Sequence, residues 1–108
     1  EKLRSMTEIF GGEIKCEGVY PGWEYKADSR LREISVEAYK ELYDGKEPIV
    51  EGIHAGLECG LFASKLEGLD AVSLGPDMRY VHTTDERLSI SSTIRTWKLL
   101  VKILEMLK

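Results

Sequence analysis

Hydrophobic residues recur at helical spacing in two long stretches of the chain. Residues 31–42 carry apolar side chains at intervals of three and four, which predicts a helix with one buried face. Asp28 or Ser29 can cap its N-terminus, and Gly45 can adopt the left-handed conformation that ends it. A wider apolar stripe over residues 89–107 predicts a second helix that begins at Ser89 and is well buried against a sheet.

The segments between these helices have the pattern of strands. Residues 49–54 and 71–74 are short apolar runs bounded by proline and glycine. A short helix over residues 57–66 separates them. Strand, helix and strand within about 25 residues form a βαβ unit, whose two strands are parallel. The predicted fold class is therefore α/β.

The first 22 residues have a different character. A short helix over residues 3–10 ends at paired glycines, and the alternating run 14–19 predicts an edge strand. Sheets usually contain about 4–6 strands, so the remaining strands are expected in another part of the same protein or in a partner chain. The chain also opens at Glu1 instead of Met, so either residues were removed or this is a piece of a longer protein.

Composition excludes several classes of protein. The 108 residues are 43% hydrophobic and 31% charged, the balance of one small globular domain. Fifteen Lys and Arg against nineteen Asp and Glu, with no basic block, argue against a nucleic-acid partner. No apolar run approaches the ~18 residues of a membrane span. Neither Cys16 nor Cys59 belongs to a CxxC pair, which predicts reduced, intracellular thiols and excludes a zinc ribbon.

Both histidines are predicted at one rim of the sheet. In open parallel sheets, ligands bind beyond the carboxyl ends of the strands. The first strand ends at His54 and is followed by Glu58, and the second leads into a loop that carries His82, Asp85 and Glu86. Imidazole is the commonest transition-metal ligand, and a neighbouring carboxylate can fix its tautomer. His82 is therefore either a metal ligand or a solvated loop histidine.

The other candidates have simpler structural explanations. His54 can contact a metal or a substrate, but a strand-end residue bonded to backbone is the favoured interpretation. Glu58 is more simply a helix cap. Cys59 at the same helix terminus could be a nucleophile paired with either histidine, although its apolar neighbours favour an inert thiol. A catalytic zinc needs three protein ligands, so this chain cannot complete a metal site alone.

Three ordered segments resemble the bacterial aminoacyl-histidine dipeptidases. This family, also called Xaa-His or cytosolic non-specific dipeptidases, is related to carnosinase among the di-zinc exopeptidases. The segments are IHAGLECGLF at 53–62, SLGPDM at 73–78 and VHTTDER at 81–87. The turn YPGW at 20–23 fits the same family, and the resemblance runs over essentially the whole chain.

The resemblance implies a catalytic α/β domain interrupted by a smaller α+β lid, within a considerably longer chain. Residues 1–20 would end the lid, and residues 21–108 would form the C-terminal part of the catalytic domain. His82 matches the histidine of a His-Thr-Pro-Asp-Glu motif, which is the family's final metal ligand. Thr84 replaces the proline there, which alters the stiffness of the loop but leaves the imidazole.

The implied activity is hydrolysis of dipeptides, typically with histidine second, at two zinc ions in the cytoplasm. The general-base glutamate and the other ligands would belong to the missing N-terminal part of the same chain, so the isolated segment is expected to be inactive. His54, Glu58, Asp85 and Glu86 would contact the substrate or support the ligands. Exposed sheet edges and helix surface predict that the segment self-associates. The alternative is a stand-alone, non-catalytic α/β interaction module.

Overall fold

The computed structural model describes residues 1–53 and 55–108. The regular structure in this part of the chain is mainly helical, and a two-stranded antiparallel sheet pairs Met78 with Leu88 and Arg79 with Arg87. In chain order the elements are α1 (Lys2–Ile9), α2 (Arg30–Leu42), α3 (Glu58–Ala63), β1 (Met78–Arg79), β2 (Arg87–Leu88) and α4 (Ile90–Met106). No helix in the described ranges is both long and apolar enough to cross a membrane.

The helices lie where the sequence predicts them because their capping residues act as expected. The Ser29 hydroxyl accepts the N–H of Arg32 at 3.0 Å and begins α2. The Ser89 hydroxyl accepts the N–H of Ser92 at 3.3 Å and begins α4 in the same way. After α2 the chain turns through Gly45, whose φ of 80° is in the left-handed region.

The predicted strands do not pair. Residues 14–19, 49–53 and 71–74 are neither helix nor strand, and they form no backbone hydrogen bonds in the described part of the chain. The prediction of a βαβ unit is therefore wrong for these residues, and the end of its first strand, His54, lies outside them. A strand exists only when neighbours satisfy its N–H and C=O groups, and these segments have no such neighbours here. The structure is consistent with the α/β class only in containing both helices and one small sheet.

The hairpin formed by β1 and β2 has no counterpart in the sequence prediction. Its strands contain two residues each, which is too few for an alternating hydrophobic pattern to be recognised in the sequence. The hairpin is anchored to α4 at its base. The N–H of Asp77 donates to the buried Ser92 hydroxyl at 2.9 Å, and the N–H of Ser89 donates to the Asp77 carbonyl at 3.0 Å.

The core lies where α2 packs against α4. Its buried apolar side chains are Ala38 on α2 and Ile103 on α4, which are 0% and 3% exposed. Glu41 and Lys102 form an ion pair of 2.5 Å across the same two helices. The hydrogen bond from Lys102 to Glu41 raises the pKa of the lysine above its usual value.

Most large apolar side chains lie in solvent. The radius of gyration is 19.0 Å, whereas a compact domain of this length would have about 13 Å. Trp97 and Ile90 on the stripe of α4 are 65% and 80% exposed. The prediction that α4 is well buried against a sheet is therefore wrong for the described chain, because the strands that would form that sheet are unpaired.

Asp70 holds the beginning of α2. Its carboxylate accepts the Leu31 N–H at 2.9 Å and the Ser29 hydroxyl at 2.5 Å. The bond from Leu31, followed by the bond from Ser29, lowers the pKa of Asp70, and the positive charges of Lys26 and Arg32 act in the same direction. A carboxylate at this place also complements the positive end of the helix dipole.

We predict that Asp70→Asn flattens the pH dependence of stability. Because folding lowers the pKa of Asp70, its bonds contribute stability above the ordinary value of 3.8 and lose it as pH falls through the lowered value. Urea titrations of the far-UV circular dichroism, at about pH 6 and about pH 3, measure this change. Glu67→Gln removes an exposed carboxylate without a hydrogen bond in the described chain and serves as control. Equal pH dependence in Asp70→Asn and the unmodified chain would contradict the assignment.

We also predict that the isolated 108-residue chain self-associates through the exposed part of the α4 stripe, formed by Ile90, Ile94, Trp97 and Leu104. Trp97→Glu should weaken association about tenfold or more, because burial of one large apolar side chain contributes at least about 1.5 kcal/mol. Ser91→Glu adds the same charge to α4 away from the stripe and should leave association unchanged. Sedimentation velocity at several concentrations makes the comparison. A monomer at every concentration would show that the stripe drives no association.

Candidate functional site

His82 lies in the loop that joins β1 to β2. This hairpin loop, residues 80–86, turns through two non-glycine residues in the left-handed region, Tyr80 with φ 55° and His82 with φ 64°. Such conformations are uncommon for residues with a Cβ. The side chain of His82 is exposed, so a metal ion can reach its imidazole.

Short-range hydrogen bonds fix the shape of the hairpin loop. The Tyr80 carbonyl accepts two hydrogen bonds from Thr83, one from the N–H at 3.2 Å and one from the side-chain hydroxyl at 2.7 Å. The Glu86 N–H donates to the Thr83 carbonyl at 3.2 Å, and the Asp85 N–H donates to the Thr83 hydroxyl at the same distance. The guanidinium of Arg87 lies 5.9 Å from the centre of the Tyr80 ring, within the range of a cation–π contact. The loop is thus defined by its own residues.

Glu86 binds the backbone of His82. Its Oε2 accepts the His82 N–H at 2.8 Å. The sequence suggested that a neighbouring carboxylate would fix the imidazole tautomer, but the contact in the structure is to the main chain. Neither imidazole nitrogen of His82 forms a hydrogen bond within the described ranges, so both remain open to a ligand.

Glu58 and Cys59 belong to a different element. Glu58 is the first residue of α3 and is exposed, and Cys59 follows it half-buried. No side chain forms a capping hydrogen bond at this helix, so Glu58 contributes only its charge near the positive end of the dipole. No hydrogen bond joins α3 to the hairpin loop in the part of the chain that is described. His82, Asp85 and Glu86 thus share one loop, whereas Glu58 lies on α3 and forms no hydrogen bond to that loop in the described chain. His54 lies outside the described residues.

Residues 1–53 and 55–108 do not contain a complete metal centre. No three His, Cys, Asp or Glu side chains among them converge closely enough to hold an ion. His82 alone has the chemistry and exposure of a single imidazole ligand. A catalytic metal at this loop would need its other donors from elsewhere.

Sequence reasoning missed the two residues that shape the hairpin loop. Tyr80 lies outside the segments that resemble the dipeptidases, and Thr83 lies within VHTTDER but was not a candidate site residue. Tyr is uncommon in the left-handed region, whereas His is enriched there among residues with a Cβ. The i+4 spacing of His82 and Glu86 was visible, but the main-chain contact between them depends on a turn that only the structure reveals.

Comparison with known proteins connects the chain to one group of enzymes. No family model matches it. It is 38% identical over 103 residues to the cytosol non-specific dipeptidase of Escherichia coli strain K12, which covers 95% of this chain and 21% of that protein. It is also 25% identical over 93 residues to the uncharacterized protein YqjE of Bacillus subtilis strain 168, covering 86% of this chain and 24% of that protein.

A solved structure shares the backbone as well. The crystal structure of aminoacylhistidine dipeptidase from Vibrio alginolyticus matches with a TM-score of 0.78 and 39% identity, covering 97% of this chain and 21% of that one. The chain thus spans about a fifth of the length of these dipeptidases. The family resemblance seen in the sequence is therefore confirmed: over nearly all of its length, this chain matches a segment of the aminoacylhistidine and cytosol non-specific dipeptidases in sequence and in fold.

Proposed function

We propose that this chain is a segment of a metal-dependent dipeptidase and that His82 is one of the metal ligands. The observation that carries the proposal is the match to dipeptidases over 95% of the chain in sequence and 97% in structure. The exposed imidazole of His82, free of hydrogen bonds in the described chain and held on a defined loop, supports its role as a ligand.

The proposed substrates are dipeptides with a free amino terminus, typically with histidine second, and the proposed location is the cytoplasm. Two zinc ions, when bound, would supply the Lewis acidity that polarises the scissile carbonyl and activates water. His82 contributes one neutral nitrogen donor to this centre. The general base and the other ligands come from polypeptide outside this chain. Glu58 and Asp85, together with His54, contact the substrate or support the ligands.

The proposal divides the chain near residue 20. Residues 1–20 end a lid domain, and residues 21–108 belong to the catalytic domain. Two observations support this division. Helix α1 buries none of its residues, whereas α2 and α4 share the core. The backbone just after residue 20 packs closely against α3, since a Cβ on Gly60 would lie 2.8 Å from the Pro21 carbonyl oxygen.

A second candidate is a non-catalytic interaction module. The exposed stripe of α4 favours it, because large apolar surfaces of this kind usually mark a contact with another protein. The two candidates differ in what covers the stripe: the remainder of the same polypeptide in a dipeptidase, or a separate chain in a module. The reading frame upstream of Glu1 distinguishes them, because only a dipeptidase needs further acidic and histidine ligands encoded there.

We predict that the isolated 108-residue chain does not hydrolyse dipeptides. One imidazole ligand cannot hold a catalytic zinc, which needs three protein ligands. Release of histidine from β-alanyl-histidine, with and without added zinc, is the measurement. The full-length protein that contains this chain is the positive control. Turnover by the isolated chain would contradict the proposal that the general base and the other metal ligands lie outside it.

In the full-length protein, His82→Ala should reduce kcat at least about 100-fold and weaken zinc binding. Loss of a direct ligand should exceed the ~10–100-fold cost of losing a residue that only supports a ligand. Circular dichroism should show that the helices are unchanged, since the His82 side chain is exposed. Glu67→Gln again provides a surface control. Unaltered zinc affinity in His82→Ala would remove His82 from the metal site.

A further inference from the structure

Glu86 contacts the backbone N–H of His82 and leaves the imidazole, which would bind a metal, without a contact from Glu86. Its carboxylate oxygen Oε2 lies 2.8 Å from the His82 backbone nitrogen, and the imidazole makes no hydrogen bond in the described chain. We infer that Glu86 is a positioning residue: its carboxylate holds the His82 backbone in the left-handed conformation, and thereby sets the direction of the imidazole. The inference rests on the proposed function of His82 as a ligand.

The backbone of His82 needs such support. Its φ of 64° is unfavourable for any residue with a Cβ, because the Cβ crowds the neighbouring carbonyl. Residues held in this region persist when the surrounding structure fixes them, and they cluster at functional sites. In an exposed loop few contacts are available to do this, so each hydrogen bond to the peptide of His82 has a large share of the effect.

Glu86 is suited to the task because it is anchored at both ends. Its own N–H donates to the Thr83 carbonyl at 3.2 Å, which closes the second half of the turn. Its side chain then reaches back four residues to the His82 N–H. The residue that follows, Arg87, pairs with Arg79 across the hairpin, so Glu86 directly precedes a paired strand position.

Asp85 shows that a nearby carboxylate is not sufficient. It is exposed and lies in the same loop, but its side chain forms no hydrogen bond within the described ranges, and only its backbone N–H contacts Thr83. Reach and direction therefore distinguish Glu86 from its neighbour. This predicts that Glu86 acts through its length and its oxygen acceptor, and not through its charge alone.

Three substitutions of Glu86 in the full-length protein separate these contributions. Glu86→Gln keeps the length and an oxygen acceptor but removes the charge. Glu86→Asp keeps the charge but shortens the side chain, and Glu86→Ala removes both. The first measurement is zinc affinity of the metal-free protein, by competition with a chromophoric chelator. The second is the hydrogen-exchange rate of the His82 amide, followed by NMR.

We expect Glu86→Ala and Glu86→Asp to weaken zinc binding about 10–100-fold, the usual effect of losing a group that orients a ligand. Both should speed exchange of the His82 amide. Glu86→Gln should keep an affinity and an exchange rate close to those of the unmodified protein. Glu67→Ala, in an exposed turn away from the loop, is the control and should change neither.

Opposite outcomes would overturn the inference. If Glu86→Asp retains affinity and Glu86→Gln loses it, the charge acts directly, on the metal or on the imidazole. If His82→Ala weakens zinc binding but no Glu86 variant does, the positioning role fails and the proposed function stands. If His82→Ala leaves zinc binding unchanged, the proposed function itself fails. Unchanged circular dichroism of the helices in each variant excludes global unfolding as the cause.

Discussion

Packing of α2 against α4 is the contact on which the tertiary structure of this chain depends. It buries Ala38 and Ile103, and the Glu41–Lys102 ion pair spans the same two helices. Asp70 and Ser29 fix the beginning of α2, and Ser92 fixes the base of the hairpin against α4. The hairpin that carries His82 is therefore attached to the same helix, α4, that packs against α2. Other apolar side chains of α4, among them Ile90 and Trp97, remain exposed in the described chain, which fits a segment that packs against further polypeptide.

Sequence pattern predicted the helices because their signals are local. Ser29 and Ser89 cap the helices they were expected to begin, and the residues that end α2 adopt the expected left-handed turn. The strands failed for the opposite reason. A strand depends on hydrogen bonds to neighbours, and the runs 49–53 and 71–74 have none in the described chain despite their β-like composition. Burial of α4 failed with them, since it was predicted against the sheet that those strands would form.

The candidate site, too, was predictable from the sequence only where its signals are local. The sequence could place His82, Asp85 and Glu86 together because they lie within five consecutive residues of one loop. Their relation to one another was not predictable, since the contact of Glu86 with the His82 main chain requires left-handed backbone at Tyr80 and His82. Glu58 was expected at the same rim on the strength of the βαβ unit. Without that unit, nothing in the described chain connects it to the loop.

The resemblance to dipeptidases adds what local physics cannot supply. The chain spans 21% of the cytosol non-specific dipeptidase that it matches. Under the proposed function, His82 supplies one imidazole donor, and a bimetallic centre requires several more donors from other parts of such a protein.

Anomalous scattering at the zinc edge, from crystals of the full-length protein, would show directly whether His82 binds the metal. We expect a zinc peak about 2.0–2.1 Å from one imidazole nitrogen of His82, with the His82 N–H still bonded to Glu86. Zinc bound elsewhere in the protein, with the His82 imidazole facing solvent, would contradict it.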